Sequence, residues 1–291
     1  MKSAFLFIAL FTSCVWAADN PVIPLNPQKE PILQVEQCVE PTAEEIQRCA
    51  SVDISTLRTE LLWLDRLFEQ RALNAIIWSV QDKAKLYRDE PAMLATTLIE
   101  SQEKTQFAAK ELLQQHISRL NSNPEIHNES THYDLQYLGQ RYNLATFLES
   151  DYFSESSWDT DQIGYFLDRY LNVDLTRQTI LAIDDILLPN QRQKFDELLD
   201  DALDIYIYNL LDFEMDENRK AANEEFRKNN SPTQQDKQNF IFTADGIEIH
   251  YNPYFTWENN DSWEPSPEDK ITLKISWGNL YNVIKPEYIW K

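Results

Sequence analysis

His250 and Glu248 stand two residues apart in FIFTADGIEIHY, Phe240 to Tyr251, where apolar and polar side chains alternate. On an extended strand that spacing puts both on one face, where an imidazole and a carboxylate can share a proton or help to hold a cation. Two ligands do not make a metal site, however, and a satisfied polar sheet surface is the expectation for this pair. Nucleophilic catalysis needs an exposed Ser or Cys beside a base that a third group orients. The other histidines, His116, His127 and His132, stand in no local nucleophile motif and are expected at the surface or at element ends. Only Gly139, Gly164, Gly246 and Gly278 are available, so a Gly-rich phosphate loop is excluded. The acidic stretch from Asp212 to Glu217 lacks the glycine and ligand order of a calcium loop. Carboxylates are too abundant for a pair of them to signal a glycosidase. The expectation is a protein with no catalytic residues, no metal and no cofactor.

A different chemistry, recognition, is written between Tyr254 and Lys270. Tyr254, Phe255, Trp257 and Trp263 interleave there with Glu258, Asp261, Glu264, Glu268 and Asp269. Rigid rings bury much area at low entropy cost, and carboxylates pair with Arg or Lys, so this composition suits a basic protein surface. Tyr254, Phe255, Trp257, Glu258, Trp263 and Glu264 are the candidate partner-binding residues. The competing reading is that the rings fold back over the neighbouring sheet.

The formal charge of −22 agrees with such a partner and excludes nucleic acid, whose phosphates the protein would repel. Acidity alone also serves solubility. At 291 residues and 43% hydrophobic, the chain can bury a core. Met1-Lys2, the apolar run from Ser3 to Ser13 and then Val15-Trp16-Ala17 have the regions of a secretory signal, with cleavage after Ala17. Phe11-Thr12-Ser13-Cys14 is an imperfect lipobox, and lipid attachment at Cys14 is the alternative. The expected location is outside the cytoplasm, in the periplasm, and no stretch reaches the roughly 20 apolar residues of a membrane span. Cys38 and Cys49 then remain as a pair in an oxidising compartment, which predicts a disulfide.

Positioning these groups requires a scaffold, and its clearest part is a hairpin. Asp245-Gly246 between two alternating runs predicts a type I′ turn, with Ala244 facing Ile247, Phe242 facing Ile249 and Phe240 facing Tyr251. Ile271 to Trp277 supplies a third antiparallel strand. Upstream, Pro21, Pro24, Pro27, Pro31 and Pro41 mark an extended arm or linker outside the core. A short strand is expected at Asp53 to Leu57. Apolar spacing then predicts one helix from Leu57 to about Arg88, a restart at Asp89-Glu90-Pro91, and a second helix through Leu94, Leu98, Ala108 and Leu112. Strands are expected from His132 to Phe153 and from Gly164 to Leu175, and a helix from Asn190 to Leu211. The class is α+β: antiparallel sheets packed with helices, preceded by an α-helical hairpin. The expected divisions are 1–17 signal, 18–50 Pro-rich arm with the disulfide, 51–128 helical hairpin, 129–215 strand-rich region ending in a helix, 216–238 surface linker and 239–291 meander with a short helix.

Residues Asp245 to Tyr254 (DGIEIHYNPY), the strand that follows, and Gly278 to Pro286 (GNLYNVIKP) resemble the RsiV-like C-terminal domain family, domain of unknown function 3298. Tyr142 to Phe147, Leu171 to Thr176 and Ile180 to Leu187 resemble more loosely its upstream companion, domain of unknown function 4163. The likeness spans residues 130 to 290. Where the family carries a Gly-Gly-Ala-His-Gly-like loop, Glu155 to Asp161 is acidic and glycine-free, and the loop after Tyr254 is longer than the family norm. The resemblance implies an extracytoplasmic module, known as a lysozyme-binding sensor in anti-sigma factors and as an accessory domain in cell-wall deacetylases. The expectation is a secreted, non-catalytic envelope protein that binds a cationic protein such as lysozyme. The alternative is an envelope structural or accessory domain contacting peptidoglycan or another envelope protein.

Overall fold

The computed structural model describes residues 21–39, 47–81, 98–157, 163–210, 224, 226–228, 230–251 and 270–289. They form two sheets, one of six strands and one of three, with helices packed on them, an α+β fold. The large sheet takes its strands in chain order: β1 (Gln28–Val39), β2 (Arg48–Arg58), β3 (Ile126–Arg141), β4 (Leu144–Ser157), β5 (Ile163–Asp174) and β6 (Thr179–Ile180). Every neighbouring pair is antiparallel except β2 and β3, which run parallel. A parallel pair needs a long crossover connection. Here it contains α1 (Leu62–Gln81) and α2 (Leu98–Ser122), which pack on each other and on the sheet.

Alternation decides what the helices cover. Ala50, Val52 and Ile54 of β2 and Tyr133 of β3 meet Ala72, Ala75 and Ile76 of α1 and Ala109, Leu112 and Leu113 of α2. Leu135, Phe147, Leu171 and Val173 continue the same face toward Leu64 and Phe68 at the start of α1. Phe68 sets its ring edge-on against Phe147, centroids 4.8 Å apart, a favoured aromatic geometry.

The expected arm at 18–50 is corrected by β1, a full edge strand paired with β2 from Gln28↔Arg58 to Val39↔Arg48. Proline is tolerated at a sheet edge or bulge, and Pro31 sits where the pairing register shifts. Ile32 and Leu33 then pack against the helix-side core. Cys38 and Cys49 lie opposite each other in this ladder and form the predicted disulfide, Cα atoms 4.0 Å apart. Closing so short a loop stabilises by roughly 2–3 kcal/mol through the unfolded chain. The large sheet therefore runs across the divisions expected at residues 50 and 128. The short strand expected at Asp53 is the middle of β2, which is buried on both faces at Ile54, Ser55, Thr56 and Leu57. The helix restart at Asp89-Glu90-Pro91, the signal segment and Cys14 lie outside the described residues.

After β6 come the short α3 (Ile183–Ile186) and α4 (Arg192–Leu210). The second sheet is the meander β7 (Phe240–Phe242), β8 (Gly246–Tyr251) and β9 (Ile271–Ser276), followed by the one-turn α5 (Trp277–Leu280). Phe195, Leu199 and Leu203 of α4 share a core with Phe240, Ile247, Ile249, Leu273 and Ile275. The expected surface linker at 216–238 is corrected where it is described: Asn230 and Lys237 are buried, and Phe226 packs against this core. Lys237 can be buried because its ammonium pairs with Asp196 of α4 at 2.7 Å.

The hairpin register also differs from expectation. Phe240 faces Ile249 and Phe242 faces Ile247, so each partner is shifted by two residues from expectation and the turn centre by one, to Ala244-Asp245. A shift of two preserves the faces, and the apolar set still points inward. Neither Asp245 nor Gly246 has positive φ, so the type I′ turn is not formed. Glycine is needed at 246 for another reason: a Cβ there would lie 1.9 Å from the carbonyl oxygen of Ile275. Gly246→Ala is expected to break the β8–β9 pairing at that end, lowering the urea midpoint by an amount corresponding to about 2–4 kcal/mol. An unchanged midpoint would contradict this close approach.

Candidate functional site

β8 ends at Tyr251 and β9 begins at Ile271, and these two residues are paired. The aromatic and acidic connection therefore leaves and returns at neighbouring points of one sheet. Its own residues, including Tyr254, Phe255, Trp257, Glu258, Trp263 and Glu264, lie outside the described residues. The two stems are firmly held. Tyr251 donates its phenol to the Asn230 carbonyl at 2.7 Å, and burial raises its pKa. Lys270 forms an ion pair with Asp168 of β5.

Glu248 and His250 lie beside these stems, on one face as the alternation predicts. His250 Nε2 lies 3.3 Å from Glu248 Oε2, its Nδ1 lies 3.2 Å from Thr272 Oγ1, and its ring centroid is 4.8 Å from that of Tyr170. Glu248 also pairs with Lys274 at 2.9 Å. Burial lowers the imidazole pKa, while Glu248 pulls it the other way. The pair is engaged with Thr272, Lys274 and Tyr170 where the two sheets meet, and among the described residues no third metal ligand converges on it.

Asn239 makes that contact. Its side chain accepts from the Tyr170 N–H at 2.7 Å and donates to the Asp168 carbonyl at 2.9 Å, so one amide takes the place of a strand residue on the β5 edge. Asn172, on β5, donates to the Phe240 carbonyl at 2.6 Å. Neither asparagine stands out in the sequence, because a lone amide carries no period.

Two buried clusters lie on the helix side of the large sheet. His116 is corrected from a surface position to a buried one: Nε2 lies 2.9 Å from Thr131 Oγ1 and Nδ1 lies 2.7 Å from Glu129. Hydroxyl, imidazole and carboxylate stand in the order of a nucleophile, base and orienting group. Thr131 is only 2% exposed, however, so a substrate does not reach it and the chain of contacts straps α2 to β3. Arg119, paired with both Glu129 and Glu155, completes the strap. His132 lies nearer solvent, 3.4 Å from Asp53.

The second cluster gathers around Glu149, 1% exposed. Arg71 grips it with two bonds of 2.8 and 2.6 Å, Tyr133 donates at 2.9 Å, and Arg169 lies 2.9 Å away. Burial opposes ionisation, but the two guanidiniums and the phenol outweigh it and hold the Glu149 pKa at about 2. The one triad of His, Cys and acidic residues close enough for a metal among the described residues, Glu36, Cys38 and Cys49, has both sulfurs tied up in the disulfide.

Because the folded pKa of Glu149 lies below its usual value of 4.5, the unfolded state binds more protons between them. The stabilisation is present above about pH 4.5 and is lost as pH falls toward 2, with a size on the order of 3 kcal/mol. Glu149→Gln is expected to lower stability at neutral pH and to flatten its fall across that window in urea titrations. A parallel pH profile would contradict the assignment.

No protein-family model and no curated protein matches the sequence. Solved structures do match. A DUF3298 family protein of Pseudomonas aeruginosa PAO1 aligns over 94% of this chain and 99% of its own, with a TM-score of 0.56 at 18% identity. A DUF3298 family member from Bacteroides fragilis aligns over 91% of this chain and 96% of its own, with a TM-score of 0.53 at 13% identity. At these identities the likeness is one of fold, and the chain shares the architecture of these DUF3298 structures along nearly its whole length.

Proposed function

We propose that this protein is an exported, non-catalytic binding protein of the bacterial cell envelope, of the RsiV-like class, that takes a cationic protein such as lysozyme. The observation that carries the reading is the anchoring of the connection 252–270. A segment rich in Trp, Tyr and acids springs from two paired strand ends, and each stem is tied to another element. Recognition segments on a rigid scaffold lose less entropy on binding than free ones. The net charge of −22 gives long-range attraction toward a basic partner. The Cys38–Cys49 disulfide suits an oxidising compartment. The burial of the His116 cluster and the engagement of His250 with Glu248 and Thr272 are in keeping with a role without catalysis.

The test is calorimetric titration with hen egg lysozyme at low and at physiological ionic strength, with muramidase activity measured in parallel. Binding that weakens with salt and inhibits the enzyme is expected. Trp257→Ala and Trp263→Ala should each weaken it about ten- to thirty-fold, the loss typical of a buried aromatic anchor. Absence of heat at low salt together with unimpaired muramidase activity would reject lysozyme as the partner. Retention of the protein on purified cell wall would then point to the peptidoglycan-contacting alternative.

A further inference from the structure

The large sheet has one long edge that its own strands leave free. Among the described residues no strand pairs with β1 on the side away from β2. In an antiparallel pair, facing residues either exchange both backbone bonds at the wider Cα spacing or stand closer and turn N–H and C=O away from each other. Cys38 and Cys49 face each other with Cα atoms 4.0 Å apart, the closer kind. By alternation Gln34, Glu36 and Cys38 all turn their backbone groups outward. Sheet edges are commonly guarded by proline and charge, and here Lys29, Glu30 and Pro31 stand together at one end of β1. From Leu33 to Val39 the one charged residue is Glu36. Val35, on the helix-facing side with its partner Val52, is 38% exposed. α2 runs alongside in the same direction: Gln106 Nε2 lies 3.5 Å from the Ile32 carbonyl oxygen, and Arg48, opposite Val39, donates to the Leu120 carbonyl at 2.8 Å. Bordering Gln106, the residues Phe107, Lys110, Gln114 and Ile117 follow at steps of three and four, one stripe of the helix. Phe107 is 66% exposed.

We propose that two copies of this protein join β1 to β1 in antiparallel fashion, about a twofold axis at Val35, into one continuous sheet. A symmetric interface must be complementary to itself, and this axis meets that condition. Gln34 faces Glu36 of the second copy and Glu36 faces its Gln34. All four turn their backbone groups outward, so the two pairs make about four ladder bonds. An axis one residue further on would set Glu36 against Glu36. Gln34 gives one amide hydrogen to Asp53 and keeps the other for the facing carboxylate. On the helix side Val35 meets Val35. From Ile32 to Val35 is about 10 Å of strand, the rise of about seven helical residues, so the axis passes α2 beside Leu112 and Leu113. Phe107 then comes level with Ile117 of the second copy, itself only partly buried, and Lys110 with its Gln114. The two Phe107 rings supply apolar area that a strand edge alone lacks. The charge of −22 on each copy opposes association and is screened by salt. The dimer therefore tightens with ionic strength, whereas the hold on a cationic partner loosens.

The experiment is sedimentation velocity on the full chain, purified from a bacterial host, over a range of protein and salt concentrations. A dimer whose share grows with both is expected. Glu36→Pro deletes the outward N–H and no bond of the β1–β2 ladder. It should raise the dimer dissociation constant about thirtyfold, two bonds across the axis being lost, while the urea midpoint stays unchanged. Phe107→Ser, at an exposed position, should raise that constant about tenfold. Val35→Cys should cross-link to its own copy under mild oxidation, because facing Cα atoms across the axis lie within disulfide reach. Ile205→Cys, exposed on α4, should not. A monomer under every condition would overturn the proposal. A dimer indifferent to both Glu36→Pro and Phe107→Ser, or one that cross-links equally from positions 35 and 205, would overturn the β1 edge as its interface.

Discussion

The carboxylate of Glu149 is where the large sheet and its helical layer are locked together. It sits on β4 and gathers Arg71 from α1, Arg169 from β5 and Tyr133 from β3. A buried carboxylate is costly unless every lone pair is answered, and a half-answered one is worse than an apolar side chain. That constraint specifies position more sharply than hydrophobic packing does, since Leu and Phe tolerate sliding and a bidentate guanidinium does not. The Phe68–Phe147 contact one turn of α1 away, at the neighbouring inward position of β4, supplies area without direction. Together they set where α1 crosses the sheet, and α2 follows through its packing on α1.

Position in the large sheet then passes to the three-stranded sheet through the edge of β5. β6 covers only Val173 and Asp174, and farther along that edge the Asn239 amide bonds Tyr170 and Asp168. An edge left open would be a template for unwanted pairing. Here the edge is used to seat the meander, and Lys270 adds an ion pair to Asp168 from the same strand. The stems of the acidic connection are therefore fixed relative to the large sheet as well as to their own.

Much of this was legible where a period or a turn signal repeats. The alternation in β3, β4, β5, β8 and β9 and the apolar spacing of α4 place those elements to within a few residues. Cysteine count and compartment predict the disulfide. The failures have distinct causes. β1 hides behind its prolines because an edge strand needs only one good ladder and tolerates a bulge at Pro31. The hairpin register departs from expectation because Asp245-Gly246 carries a strong turn signal, while the glycine answers a tertiary demand, the approach of Ile275. Such a demand comes from a partner distant in sequence and leaves no local mark. The parity of Phe147, Glu149, Asp151 and Phe153 could have revealed the buried network, since an acid between inward-facing aromatics must find a cation.

His116 and His250 show why residue type alone predicts so little about a site. Each has a carboxylate within 3.3 Å and a threonine hydroxyl within 3.2 Å, so both repeat the chemical grammar of an activated nucleophile. What separates grammar from catalysis is access, and access depends on what the fold lays over the cluster. α2 closes the first, and Tyr170 leans over the second. Both imidazoles are thereby engaged in holding elements together, α2 to β3 in the one case and β8 to β9 and β5 in the other.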